Sequence, residues 1–319
     1  MCESWIASDR CQSPIICMNN SKKSERAITR DLLLSATNLT LGKHESIDHF
    51  LGRITHLTLH GNNKKVIREI DNLHFCPNLK VLYLYDNEIE KMENIDTASH
   101  LTHLYLQNNR INQIENLDKL IYLDKLYLNH NRISCVKGLE NQCRLIELHL
   151  CDQELPKLQS ISFDKSSIEA LAHSLRVLTL ANCKITDTSS LHLLVNLEQL
   201  DLSRNDVKGL QDVFQLLTAC RSLQKLDLRQ NPVTLGHKYR EKVVTFSSSL
   251  LELLDEKEIS SSQRKKMQSH AAHKYSKRQQ QAFSNQKESG LKAPKSLHEP
   301  QQFGVCGLSI KTHSDDELC

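Results

Sequence analysis

The sequence predicts an α/β solenoid, and three observations carry that prediction. Leucine accounts for 51 of the 319 residues, and most of it falls between Leu51 and Leu254. Its spacing repeats at a period of 22 residues, the mark of a chain built from stacked supersecondary units. Within each period the order is L-x-x-L-x-L-x-x-N-x-I, so an alternating L-x-L step precedes a turn residue.

Three blocks set the register: Leu79, Leu82, Leu84, Asn87 and Ile89; Leu101, Leu104, Leu106, Asn109 and Ile111; then Leu123, Leu126, Leu128, Asn131 and Ile133. Ile54, Leu57, Leu59 and Asn62 fit upstream. Downstream follow Leu145, Leu148, Leu150 with Gln153; Leu175, Leu178, Leu180 with Cys183; Leu197, Leu200, Leu202 with Asn205; and Leu223, Leu226, Leu228 with Asn231. Eight such blocks predict a leucine-rich repeat horseshoe of about eight repeats.

Each position has a physical role. In the L-x-L step the leucines point inward and the residues between them outward, because side chains alternate along a strand. The Asn stands where the chain leaves the sheet, and its amide can satisfy buried backbone groups of neighbouring turns. Gln153 and Cys183 depart from it, and a thiol is not expected to supply the same bonds. They flank an insertion over residues 155–174, where 167–174 reads as helix.

Terminal repeats must be covered. Residues 46–53 (SIDHFLGR) predict a short N-terminal capping helix with Ile47, Phe50 and Leu51 on one face. At the other end Asn231-Pro232-Val233 halts the pattern. Tyr239, Val243, Val244 and Phe246 then lead through Leu251 and Leu254 to Asp255, which predicts a C-terminal cap. The expected organisation is a disordered segment over 1–27, a capped repeat domain over 28–258, and a disordered basic and polar tail over 259–319, with a helical extension of the cap at its start as the alternative. That tail carries Arg264, Lys265, Lys266, Lys274, Lys277 and Arg278 with no acid between them.

Composition narrows the function. Lys+Arg number 41 against 38 Asp+Glu, aromatics are 5%, and glycines are nine. Balanced charge and few aromatics argue against a general nucleic-acid binder. No apolar run is long enough to cross a bilayer and no signal peptide is evident, so a cytoplasmic protein is expected. The 11 cysteines form no C-x-x-C pair, and those from Cys76 to Cys220 are expected to be small buried hydrophobes. The 16 histidines form no metal-binding or acid-base constellation, so neither cofactor, metal nor enzymatic activity is expected.

The outward residues of the strands are the candidate site. One column reads Thr58, Tyr83, Tyr105, Tyr127, His149, Thr179, Asp201 and Asp227. His103, Lys125 and Glu147 flank it on one side, with His60, Tyr85 and Gln107 on the other. Tyr83, Tyr85, Tyr105, Tyr127, His103, Lys125 and His149 have the make-up of a protein-binding hot spot. The competing reading is that the tyrosines stack to stabilise the sheet.

The 22-residue pattern, with NLKVLYLYDNEIEKMENI followed by HLTHLYLQNNRINQIENL and a YRE…LLELLD cap, resembles the short-repeat leucine-rich proteins that regulate protein phosphatase 1. The resemblance spans roughly residues 29–260. It implies a non-catalytic regulatory or targeting subunit, with the phosphatase catalytic subunit as partner and tubulin or microtubule-associated proteins nearby. It further implies a cytoskeletal location at a centrosome or other microtubule-organising centre. The same repeat occurs in a spliceosomal protein and a ciliary dynein light chain, so the alternatives are a ribonucleoprotein assembly factor or an axonemal dynein-linked adaptor. Lys242-Val243-Val244-Thr245-Phe246 matches the K-x-V-x-F docking pattern for that phosphatase, but the cap claims the same side chains. The basic tail could grip an acidic surface.

Overall fold

The computed structural model describes residues 27–61 and 66–288, with side chains described as far as 281. The N-terminal segment, Asn62, and the tail beyond 288 lie outside the described residues. In chain order the elements begin with helix α1 (Arg30–Ser35) and helix α2 (Ile47–Gly52), followed by strands β1 (His56–Thr58), β2 (Val81–Tyr83), β3 (His103–Tyr105) and β4 (Lys125–Tyr127). Then come β5 (Cys135–Val136), β6 (Glu147–His149), β7 (Ser162–Phe163), α3 (Lys165–Leu171), β8 (Val177–Thr179) and β9 (Gln199–Asp201). The last elements among the described residues are α4 (Leu210–Ala219), β10 (Lys225–Asp227), α5 (Tyr239–Phe246), β11 (Leu253–Leu254), β12 (Lys257–Glu258) and α6 (Ser261–Glu288).

Ten of these strands form one sheet in the order β1-β2-β3-β4-β6-β8-β9-β10-β11-β12, parallel throughout except for the final β11–β12 pair. This is the leucine-rich α/β solenoid that the sequence predicts. Each pairing joins equivalent positions of successive repeats, for example Leu82 to Leu104 and Leu104 to Leu126. The register leucines are fully buried and belong to one continuous core from Ile28 to Leu254.

The Asn positions explain why the turns stack. Asn131 Oδ1 accepts from Ile111 N at 3.0 Å, while its Nδ2 donates to Leu106 O at 2.9 Å and Leu128 O at 3.0 Å. Asn87, Asn109, Asn205 and Asn231 repeat the arrangement. Gln153 reproduces it with one more methylene, accepting from Ile133 N and donating to Leu128 O, both at 2.9 Å. Cys183 does more than expected: its thiol donates to Leu150 O at 3.0 Å. Leu155 N, the group that an amide at this position would have paired, bonds Gln153 O instead, and Asn205 accepts from both Cys183 N and Ile185 N.

The residue before each ladder position is left-handed: Asp86, Asn108, His130, Asp152, Asn182, Arg204 and Gln230 all have φ between 54° and 58°. Asn, Asp and His tolerate that region best, which accounts for most of the column. A second left-handed column, at Asn72, Asn94, Asn116 and Gly138, marks the far side of the repeats. Asn94 and Asn116 donate to Ile70 O and Met92 O of the preceding turn, both at 2.9 Å. At Gly138 a Cβ would come within 2.5 Å of Ile114 O, so the fourth member must be glycine.

The insertion is more ordered than a long loop. Strand β7 pairs with β5, and Asp164 caps α3 through Ser167 N. The helix begins two residues before the expected span, because Asp164 is the capping residue. Ser167 is fully buried and donates to Glu140 Oε1 at 2.8 Å.

The N-terminal cap holds α2, initiated by Ser46, with Phe50 and Leu51 buried. Ile47, expected on that face, is 41% exposed, and α1 supplies Leu33 to the core instead. Cys76, Cys183 and Cys220 are buried as expected, but Cys143 is exposed and Cys135 and Cys151 are half-buried.

The C-terminal boundary differs from expectation. Residues 261–288 are helical, and the chain divides into two compact units after Gln268 rather than after residue 258. Arg264 is the cause. Read in the sequence as a solvated member of the basic run, it is only 9% exposed. Its guanidinium donates to Val244 O at 2.9 Å, Ser247 O at 3.3 Å, Ser247 Oγ at 2.9 Å and Leu251 O at 2.6 Å. It satisfies the end of α5 and the following turn, so the first turns of α6 belong to the cap. Helix α5 places Val243 and Val244 in the core, and a buried helical segment cannot add a strand to a partner through K-x-V-x-F.

Two outcomes follow. Asn131→Ala leaves the buried Ile111 N–H unpaired and takes one of two amide donors from each of Leu106 O and Leu128 O, which keep Asn109 and Gln153. It lowers the unfolding free energy by about 1–3 kcal/mol in urea denaturation, whereas Gln153→Asn changes it by less than about 1 kcal/mol. Arg264→Ala costs about 2 kcal/mol and also reduces far-UV helical ellipticity, since it releases the turn from which α6 continues.

Candidate protein-binding face

The exposed sheet face is ordered by its register. Tyr83 pairs with Tyr105, Tyr105 with Tyr127, Tyr127 with His149, and the column continues to Thr179, Asp201 and Asp227. Parallel neighbours stand about 4.8 Å apart, close to the separation of stacked rings. Ring centroids are accordingly 4.6 Å apart for Tyr83 and Tyr105, 4.5 Å for Tyr105 and Tyr127, and 4.3 Å for Tyr127 and His149, with planes within 20°. Tyr85 meets Tyr83 edge-on at 6.3 Å, and His60 lies 5.2 Å from Tyr85. The four rings, all half-buried, stack as same-face neighbours along the sheet, as the sheet-stabilising reading expects.

Glu147 organises the far end of the ladder. Tyr127 donates to its Oε2 at 2.9 Å and Lys125 Nζ lies 2.7 Å from its Oε1. His149 Nδ1 is 3.1 Å from Thr179 Oγ1, and its Nε2 is 3.5 Å from Glu147 Oε2, an electrostatic contact rather than a hydrogen bond. Burial works to raise the Glu147 pKa, but hydrogen bonds from Lys125 and Tyr127 outweigh it and hold the carboxyl below its ordinary value. The bond to Glu147 raises Lys125. Burial, then the bond to Glu147, pushes the Tyr127 phenol well up. Burial lowers His149 despite the nearby carboxylate, and burial followed by the Lys125 charge lowers His103.

The expected residues thus divide. Tyr83, Tyr105, Tyr127 and His149 form one ladder, Tyr85 extends it sideways, and His103 sits beside it, with Nδ1 2.8 Å from Thr102 Oγ1. Lys125 is committed to Glu147, which removes it as an unpaired group for orienting a partner. The sequence reading placed Glu147 in the flanking column beside Lys125 but left it out of the candidate binding residues, although the register makes the pair legible. It also missed an edge at the residues before each first leucine. There His100 stacks on Tyr122 at 6.0 Å, and Arg144 lies over Tyr122 at 5.7 Å.

Toward the C-terminal end the face is polar. Asp152 accepts from Arg204 at 3.0 Å and from Asn182 at 3.0 Å, and Asp227 holds Arg229. Of the basic run, Arg264 is buried in the cap, Lys265 and Lys266 are exposed early in α6, and Lys274, Lys277 and Arg278 lie in the second compact unit. Buried thiols are pushed up, Cys76 and Cys220 to about 11 and Cys183 to about 12. No helix among the described residues is long and apolar enough to cross a membrane.

Comparison with known proteins places this geometry. The family description "Leucine Rich repeats (2 copies)" matches residues 173–212. Centrosomal protein of 72 kDa from Mus musculus is 29% identical over 141 residues, which cover 41% of this chain and 22% of that protein. The chain therefore spans about a fifth of the length of that relative. Among solved structures, an internalin of Listeria monocytogenes superposes with a TM-score of 0.50 and 22% identity, covering 66% of this chain and 64% of the other. A leucine-rich repeat protein of Leptospira interrogans gives 0.51 and 23%, covering 65% and 50%. Both likenesses concern the fold, and with the repeat match they define the chain as a leucine-rich repeat solenoid.

The ladder makes stability depend on pH in a defined direction. Since the folded state holds His149 below its ordinary value near 6.5, the unfolded chain binds that proton first. Stability from this group is complete above about 6.5 and falls as pH drops through the folded value. Glu147, also held low, adds a loss at more acid pH. The melting temperature should fall between pH 7 and pH 5, and His149→Gln should flatten that slope; parallel slopes for both proteins would refute the assignment.

Proposed function

We propose that this chain is a non-catalytic protein-binding scaffold whose exposed sheet face captures its partner through the row Tyr83, Tyr85, Tyr105, Tyr127 and His149. The stacked, in-register ladder is the observation that carries the reading. Tyr105 and Tyr127 are held by stacked rings on both sides and Tyr83 and His149 on one, so little side-chain freedom is lost when a partner covers them. Tyrosine contributes both contact area and a hydroxyl, which is why it is enriched in binding hot spots.

The partner in this reading is the catalytic subunit of protein phosphatase 1, with the chain acting as a regulatory or targeting subunit. The family resemblance of the repeats supports that step. Because Val243 and Val244 are buried in α5, the sheet face and not the K-x-V-x-F segment is the docking surface. The likeness to a protein named as centrosomal supports a cytoplasmic role at the centrosome or another microtubule-organising structure. Tubulin and microtubule-associated proteins are further partners in that setting.

The test uses the two tyrosines at the N-terminal end of the row, which leave the Glu147 network intact. Tyr83→Ala with Tyr85→Ala should weaken capture of the phosphatase catalytic subunit at least about tenfold in biolayer interferometry. The melting temperature should shift by only a few degrees. Undiminished capture by the folded double variant removes the sheet face as the docking site, and no capture by the parent chain removes the phosphatase.

A further inference from the structure

Helix α6 presents a surface that the sheet face does not use. Between Glu258 and Glu288 there is no acidic residue, while Arg264, Lys265, Lys266, Lys274, Lys277, Arg278 and Lys287 all fall there. Only Arg264 of the described ones is consumed by the fold. Within the second compact unit, His270, His273, Lys274, Lys277 and Arg278 are spaced i, i+3, i+4, i+7 and i+8. At 3.6 residues per turn this gathers them on one side of the helix. Ala272, Tyr275 and Gln279 occupy the opposite side, and Tyr275 is 60% exposed. Every residue from Ala272 to Gln281 is exposed, and Lys274, Lys277 and Arg278 have no ion pair among the described residues.

We propose that this stripe is an electrostatic docking element for an acidic polypeptide segment, rich in Asp and Glu, that lies along one side of α6. Three features select that partner. The helix has no apolar face, so neither a hydrophobic groove nor a membrane surface has anything to bury. Lys274, Lys277 and Arg278 lie on one side, and they span about 6 Å at 1.5 Å per residue. A helix entering a nucleic-acid groove meets phosphates on both flanks, whereas a linear run of carboxylates needs one. The unpaired charges of the stripe are two lysines and one arginine, point charges for carboxylates with little of the forked guanidinium chemistry that reads bases. The continuous absence of acid keeps the stripe from being neutralised by i,i+4 pairs within its own helix.

The experiment measures binding of the full chain to a fluorescein-labelled glutamate-rich dodecapeptide by fluorescence anisotropy, with a glutamine-rich dodecapeptide and a single-stranded oligonucleotide as comparison probes. Binding of the acidic peptide should be evident at about 0.05 M salt and lost above about 0.3 M, as expected of exposed charges. Lys274→Gln with Lys277→Gln and Arg278→Gln should weaken it about tenfold without loss of helical ellipticity. Tyr83→Ala with Tyr85→Ala should leave it unchanged. Equal binding of the two peptides, or equal binding by the triple variant, overturns the proposal. So does tighter binding of the oligonucleotide than of the acidic peptide at about 0.15 M salt, which would assign the stripe to nucleic acid.

Discussion

Everything in this fold depends on satisfying the backbone where each turn leaves the sheet. A solenoid must bury that corner between successive repeats, and buried N–H and C=O groups without partners are costly. One side chain per repeat solves the problem by accepting from a backbone N–H of the preceding turn and donating to carbonyls of its own and the preceding turn. Because each amide spans two repeats, it sets their rotation and their spacing together. The leucines supply the driving force, but they are non-directional, and an equally apolar stack without the ladder would have no fixed register.

The register in turn creates the candidate site. Successive strands are parallel and paired at equivalent positions, so any residue type repeated at the 22-residue period becomes a column. Three tyrosines and a histidine at that period become a stack whose separations, 4.3 to 4.6 Å, follow the strand spacing. The stack covers the inner ring faces. In the proposed binding mode a partner meets the ring edges of this stack, which ends at the closed Lys125–Glu147–Tyr127 network. Recognition at such a ridge combines hydrogen bonding with apolar contact, which suits a polypeptide better than a row of stacked bases.

Legibility in the sequence followed the same logic. Periodic features could be read directly: the core leucines, the ladder amides, the tyrosine column and the displaced repeat around the insertion. Features that depend on geometry between non-equivalent positions could not. Nothing in the spacing says that the Cys183 thiol donates to Leu150 O while Asn205 doubles its accepting role. The second left-handed column at Asn72, Asn94 and Asn116 was periodic and therefore available, but it lies outside the L-x-x-L template that drew attention first. The Lys125–Glu147 pair was visible as a neighbouring column, yet its consequence, that the lysine is spent, needs the distance of 2.7 Å.

Arg264 shows where composition misleads. In the sequence it opens a basic run and shares the chemistry of Lys265 and Lys266; in the fold it is a structural residue with four acceptors around one guanidinium. Lysine, with a single nitrogen, could not reach carbonyls of Val244, Ser247 and Leu251 together. The planar fork therefore separates the arginine that closes the cap from the cations that remain exposed further along the same helix. It also explains why a helix polar on every side persists beyond its anchor. The costly first turn is formed by the cap, and residues of good helix propensity, such as Ala, Gln and Lys, extend it. The cap and the basic stripe are two uses of one helix, divided at the point where the arginine's acceptors end.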